Sequence, residues 1–205
     1  MKPLKVYLCD LTHETVILVS DTIPVNIGYV GAYAKKIHSD LIDLSFFKYP
    51  KTVIEAIKEN PPDVIALSNY SWNSLLSEHV AKIAKSVNPK VITVQGGPNF
   101  PHSNEQQLEF LKSRPYTNFH IELEGEASFA NLIDRILKQR NGGQDLFDSA
   151  IDGCVFINPN NKNDLIKGSK PPRIKFLNDI PSPYLNGMLD VFFDGKLSPF
   201  IETNR

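Results

Sequence analysis

Four short polar clusters hold most of the residues in this chain able to do chemistry. The first is Asp10, Leu11, Thr12 and His13. The second runs through Ser68, Asn69, Tyr70, Ser71, Trp72 and Asn73. The third is Gln95, Gly96, Gly97, Pro98 and Asn99, and the fourth is Glu122, Leu123, Glu124, Gly125 and Glu126. Each admits two readings. His13 can ligate a metal, but it has no second ligand beside it, and a lone loop histidine is equally just polar. Gly96 and Gly97 let a backbone approach a bulky ligand with no Cβ in the way; the same pair makes a tight turn. Ser68, with polar residues and Trp72 behind it, suits the wall of a flat aromatic site. Trp72 can also pack over a helix start, with Ser71 or Asn73 as N-cap. Glu124 and Glu126 can act as an acid–base pair, or sit where a helix N-terminus favours carboxylates.

Other chemistries are missing. There is no GxxxxGK[ST] loop, no GxGxxG after the first strand-like run, no GxSxG elbow and no HExxH. Cys9 and Cys154 belong to no CxxC pair, which excludes a zinc ribbon or an iron–sulfur cluster housed within these residues. Each thiol reads as a small apolar filler. The formal net charge of −1 gives no pull on a polyanion, so nucleic acid and anionic membrane are not expected partners. No apolar run approaches the length of about 18 residues that spans a bilayer. The N-terminus enters a strand-like run without a signal-peptide core, and the expected address is cytoplasmic.

These clusters need a scaffold, and the pattern between them supplies one. Strand-like runs occupy residues 5–11, 40–47, 63–68, 90–95 and 118–123. Helical periodicity fills the gaps at 26–39, 52–60, 74–87, 103–112 and 127–140, with apolar residues such as Ile37 on the first helix and Val87 on the third assigned to the buried faces. Val64, Ile65, Ala66 and Leu67 run without polar alternation, the mark of a strand covered on both faces. Five strands separated by helices imply an α/β fold with a doubly wound, mainly parallel five-stranded sheet. The four clusters then fall at or beyond strand carboxyl ends, where open parallel sheets bind ligands. Beyond Gly143 the pattern changes. Residues 153–157 and 164–167 flank a turn-rich stretch and read as a β-hairpin. The proline-rich stretch 171–199 reads as an extended connector.

Taken in order, the clusters resemble the cobalamin-binding fold of methionine synthase and the mutases, whose strand-tip serine and glycine pair line a nucleotide-tail cleft. They are more similar still to the N-terminal domains of cobalamin-binding radical S-adenosylmethionine proteins. That resemblance rests on Asn26, Ile27, Gly28 and Tyr29 with Gly31, Ala32, Tyr33 and Ala34. It continues through Gln95, Gly96, Gly97 and Pro98, and through Glu124, Gly125 and Glu126 with Phe129 and Leu132. It ends in a connector similar to Ile180, Pro181, Ser182, Pro183, Tyr184 and Leu185. In that family a stretch similar to Phe200, Ile201, Glu202, Thr203, Asn204 and Arg205 leads into the CxxxCxxC motif. The resemblance covers essentially the whole chain.

The resemblance implies a cobalamin-binding, Rossmann-like domain at 1–143, with 144–205 a hairpin and connector toward a radical barrel in cis. That barrel would hold the [4Fe–4S] cluster and S-adenosylmethionine, and the full protein would be a methyltransferase or related radical enzyme. This chain alone is not expected to be catalytic. Ser68, Tyr70, Gly96 and Gly97 would line the tail cleft of base-off cobalamin. Asn69, Ser71, Trp72, Pro98, Asn99, Glu124 and Gly125 would border the corrin. Two departures stand out. The mutase signature is Asp-x-His-x-x-Gly, and here Asp10 and His13 are one residue too far apart, so no histidine lower ligand to cobalt is expected. Tyr70 stands where the mutase-type signature has leucine. A cofactor-free docking domain is the alternative. A receiver is disfavoured because Ser68 ends the third strand, and a flavodoxin-like site because Thr12 and Thr15 make a poor phosphate loop.

Overall fold

The computed structural model describes residues 2–14 and 20–202. Thr15 and residues 203–205, used in the reading above, lie outside them. Five strands run parallel: β1 (Leu4–Cys9), β2 (Ile42–Phe47), β3 (Val64–Ser68), β4 (Ile92–Gly96) and β5 (Phe119–Ile121). Their spatial order is β2-β1-β3-β4-β5, a doubly wound arrangement with its reversal beside β1 and β3. Helices α1 (Val25–His38), α2 (Pro50–Glu59), α3 (Ser74–Val87), α4 (Asn104–Lys112) and α5 (Gly125–Arg140) connect them. Local chemistry sets several starts. Pro50 opens α2, where its missing N–H costs nothing. Ser103 Oγ accepts from Gln106 N at 3.3 Å and caps α4.

Alternate residues of the central strands face opposite layers. Val6, Leu8, Val64, Val94 and Phe119 pack under α1 and α5 against Ile27, Ala34, Phe129 and Leu132. Tyr7, Cys9, Ile65 and Leu67 pack under α2 and α3 against Val53, Ile57, Val80 and Ala84. Each fully buried side chain such as Leu132 contributes about 1.5–3 kcal/mol. Two residues assigned to buried faces are exposed: Ile37 at 52% and Val87 at 39%. On α1 Ile27, Gly31 and Ala34 are buried as expected, and Gly28 and Ala32 join them to make much of the face small. They bring the helix close, since a Cβ at Gly31 would lie 2.6 Å from Phe46 and 2.8 Å from Leu8. Residues 39–41 form a 3-10 turn, so the second strand begins at Ile42 rather than at residue 40.

The sheet has seven strands, not five. The hairpin β6 (Cys154–Ile157) and β7 (Leu165–Lys167) extends it, with His120 opposite Val155 and Ile121 opposite Cys154 in antiparallel register. Without the hairpin, β5 would present an unpaired edge. Phe156 seals the join by packing on Phe119, with ring centroids 4.9 Å apart. The stretch 171–199 is likewise more than an extended connector. Leu189, Phe192 and Leu197 bury against Ile23 and Val25, and Ser198 bridges to Thr22. Apolar burial folds this segment back over the start of α1. No helix among the described residues is long and apolar enough to cross a membrane.

Candidate functional site

The strand tips meet in one row on the α1/α5 side of the sheet. Alternation puts Ser68 on the face of Val64 and Ala66, and Gly96 on the face of Val94. Ser68 registers with Gly96, and Gly96 with Ile121. Ser68 is buried and its hydroxyl is fully engaged. It donates to Asp10 Oδ1 at 2.5 Å and accepts from Asn73 Nδ2 at 2.9 Å. Asp10 Oδ2 in turn accepts from Lys48 Nζ at 2.9 Å, and Lys48 Nζ also donates to Ser20 Oγ at 3.1 Å. The Lys48 side chain is wholly out of solvent. A buried ammonium is tolerable only with such a partner. The network therefore ties β1, the end of β2, β3 and the start of α3 together at the strand tips. Sequence reading missed Lys48, because a lysine just past a strand carries no local mark of burial.

Asn69 is also buried, and its amide is turned into the protein. Nδ2 donates to Asn99 O at 2.7 Å and lies 3.3 Å from His120 Nε2. Its backbone N–H donates to Gly96 O at 2.7 Å, and its carbonyl accepts from Asn99 N at 3.1 Å. Gly97 sits against this staple with φ +139°, where a Cβ would lie 2.7 Å from Asn69 O. Only glycine meets both demands without strain. Gly96 differs, since a Cβ there would meet nothing nearer than Ile121 Cβ at 3.6 Å. Pro98 is exposed and Asn99 half-buried at the outer rim. His120, absent from the sequence reading, is 0% exposed and stacked on Phe100 at 3.7 Å. Burial lowers its pKa to about 3, so the ring is neutral.

The loop after β3 carries two rings. Tyr70 and Trp72 stack with centroids 4.5 Å apart and planes 8° from parallel. Tyr70 Oη accepts from Asn26 Nδ2 at 3.1 Å, reaching the first turn of α1. Burial, and then Asp10, raise the pKa of the phenol. Trp72 keeps 44% of its surface exposed, and Ser71 beside it is exposed. Asn73 does occupy the N-cap position of α3, but its side chain does not cap the helix. Asn73 Oδ1 accepts instead from Tyr70 N at 2.9 Å, and Nδ2 also donates to Leu11 O at 3.1 Å. His13 Nε2 donates to Trp72 O at 3.0 Å.

The fourth cluster lies at the start of α5. Leu123 has φ +58° and is 73% exposed, an unusual backbone state for a branched residue. Glu124 occupies the N-cap position, and its Oε1 accepts from Arg173 Nε at 2.6 Å, an exposed ion pair with the C-terminal segment. Glu126 is buried in the first turn, where the helix dipole favours a carboxylate. Gly125 packs on Val30 of α1.

Burial raises the Cys9 thiol well above the usual thiol range and pushes Cys154 up to about 12, which disfavours the thiolate at both. Among the described residues no cluster of histidine, cysteine and carboxylate side chains could hold a metal ion.

Comparison with known proteins agrees with that geometry. Residues 16–133 match the family described as the B12 binding domain. The chain is 29% identical over 174 residues to the cobalamin-dependent radical SAM methyltransferase TokK of Streptomyces tokunonensis, a match covering 82% of this chain and 24% of that protein. It is 27% identical over 150 residues to the 2-(S-pantetheinyl)-carbapenam-3-carboxylate methyltransferase of Streptantibioticus cattleyicolor, covering 70% of this chain and 20% of that one. The solved structure of the cobalamin-dependent S-adenosylmethionine radical enzyme OxsB with aqua-cobalamin and S-adenosylmethionine bound superposes with a TM-score of 0.68. That likeness covers 98% of this chain and 27% of OxsB at 16% identity, and it is one of fold. The chain spans 20–27% of the length of these relatives.

Proposed function

This chain belongs to the B12-binding domain family, and from that premise we propose that it is the cobalamin-holding module of a radical S-adenosylmethionine enzyme, a methyltransferase in its full form. The observation that carries the reading is the open position at Gly96. Glycine there is not forced by packing, since an added Cβ would make only ordinary contacts. In this reading the nucleotide tail passes over this glycine, where no side chain stands in its way. The donor set agrees with cobalamin held base-off and without a histidine below cobalt. His13 is offset from the mutase register and spends Nε2 on Trp72 O.

In this reading Gly96, Gly97 and Tyr70 line the tail cleft, and Ser68 shapes it from below through Asp10 and Asn73. Ser71, Trp72, Pro98, Asn99, Glu124 and Gly125 border the corrin, while Asn69 fixes the rim from inside. Bound cobalamin supplies a cobalt centre able to carry and pass on a one-carbon group. The residues of this chain bind it, orient it and keep water from the tail. Residues 1–143 hold the cofactor, and residues 144–205 lead toward a radical barrel in cis, which holds the [4Fe–4S] cluster and S-adenosylmethionine in the cytoplasm.

The test is direct. The purified chain is incubated with hydroxocobalamin, desalted, and its visible spectrum recorded. Retained corrin absorbance in the base-off form is expected. A colourless protein would overturn the reading and favour a cofactor-free docking domain.

A further inference from the structure

We propose that Asn26 is a positioning residue of the cofactor site, acting through Tyr70; the inference rests on the cobalamin reading above. Asn26 lies in the first turn of α1 and Tyr70 in the loop that follows β3. Its amide donates to Tyr70 Oη at 3.1 Å. The backbone under Tyr70 is already fixed, because Tyr70 N donates to Asn73 Oδ1 at 2.9 Å and Asn73 is itself anchored to Leu11 O and Ser68 Oγ. What Asn26 decides is therefore the direction of the phenol ring alone. Held this way, the ring links the start of α1 to the loop after β3 and stacks on Trp72 at 4.5 Å and 8°. Trp72 gains a second ring behind it and retains 44% of its surface exposed. A two-ring platform with open surface at the edge of a strand-tip cleft suits a flat macrocycle. Asn26 sets that platform from the first turn of α1.

Without the tie, the phenol loses the hydrogen bond that offsets its desolvation, and solvent becomes its better partner. The ring then swings outward and unstacks from Trp72.

The chain contains a single tryptophan, so fluorescence excited selectively at tryptophan reports on this ring alone. The variants are Asn26→Ala, Tyr70→Phe and Asn26→Asp. The last can accept the phenol proton and so restore the tie in reverse. Urea denaturation confirms folding of each. Asn26→Ala and Tyr70→Phe are expected to raise acrylamide quenching of Trp72. They should also weaken hydroxocobalamin binding by about three- to tenfold, the worth of one hydrogen bond. Asn26→Asp should recover both signals. Unchanged binding in Asn26→Ala would overturn the proposal, as would weakened binding with an unaltered Trp72 signal. Failure of the unsubstituted chain to take up hydroxocobalamin would overturn the cofactor reading itself, a result distinct from either.

Discussion

Lys48 Nζ and Asp10 Oδ2 lie 2.9 Å apart, with the lysine side chain entirely removed from solvent. Ser68 then donates a hydrogen bond to the other oxygen of the same carboxylate. One ion pair thus fixes the orientation of the serine at the cleft floor. Breaking a buried pair leaves an uncompensated charge, which typically costs about 3–5 kcal/mol, whereas replacing both partners is often close to neutral. Lys48→Met should therefore destabilise the chain by roughly that amount in urea denaturation. Asp10→Asn combined with Lys48→Met should recover most of the loss. Equal losses in the single and double variants would show that the pair is not the organising contact.

Adjacent glycines at the tip of β4 should behave oppositely. Gly97→Ala forces φ +139° on a residue with a Cβ and drives that atom to 2.7 Å from Asn69 O. The expected cost is about 1–3 kcal/mol, seen in the unfolding midpoint. Gly96→Val meets no such obstacle, because its Cβ would stand 3.6 Å from Ile121, and valine suits a strand. Its stability should stay within about 1 kcal/mol of the parent, while retention of hydroxocobalamin after desalting should fall sharply. Full retention in Gly96→Val would remove the tail from this cleft.

Stability should also fall with acid because of His120. Its pKa is lowered by burial from 6.5 to about 3. Between those values the unfolded chain takes up a proton that the folded chain refuses, so stability rises with pH across this window. The slope from this one group is at most about 1.4 kcal/mol per pH unit. Acidification from pH 6.5 toward 4 should therefore weaken the fold progressively. His120→Phe should flatten that part of the profile, measured by urea unfolding at several pH values. An unchanged slope would assign the acid sensitivity to carboxylates instead.

The parts of this architecture written in local pattern were legible from sequence. Uninterrupted apolar runs such as Val64 to Leu67 mark buried parallel strands, and their polar ends mark the tips where Ser68 and Gly96 meet. What could not be read was pairing at a distance. Nothing in Cys154 to Ile157 says that this strand will pair with β5. Nothing local to Lys48 or His120 says that either will be buried, since both depend on groups more than 35 residues away, Asp10 and Asn69. Asn73 misled for a related reason. Its position is that of a cap, but the Oδ1 that would accept from the helix N–H groups accepts instead from Tyr70 N.

The attachment of the C-terminal segment can be divided into an ionic and an apolar part. Arg173 meets Glu124 at 2.6 Å, with side-chain exposures of 75% and 33%. An exposed pair of that kind contributes at most about 1 kcal/mol and is screened by salt. Leu189 is 0% exposed within the cluster formed with Ile23, Val25 and Phe192. It also fills space that only Gly28 leaves free, for a Cβ there would lie 3.0 Å from Leu189 Cδ1. Truncating such a side chain costs its transfer energy plus a cavity, about 2–5 kcal/mol. Leu189→Ala should thus loosen the segment, and limited proteolysis should cut within residues 171–199 far faster than in the parent. Arg173→Ala should leave the digestion rate nearly unchanged at physiological salt. If Arg173→Ala alone exposed the segment, the fold-back over α1 would be held by charge, and raising the salt concentration would release it.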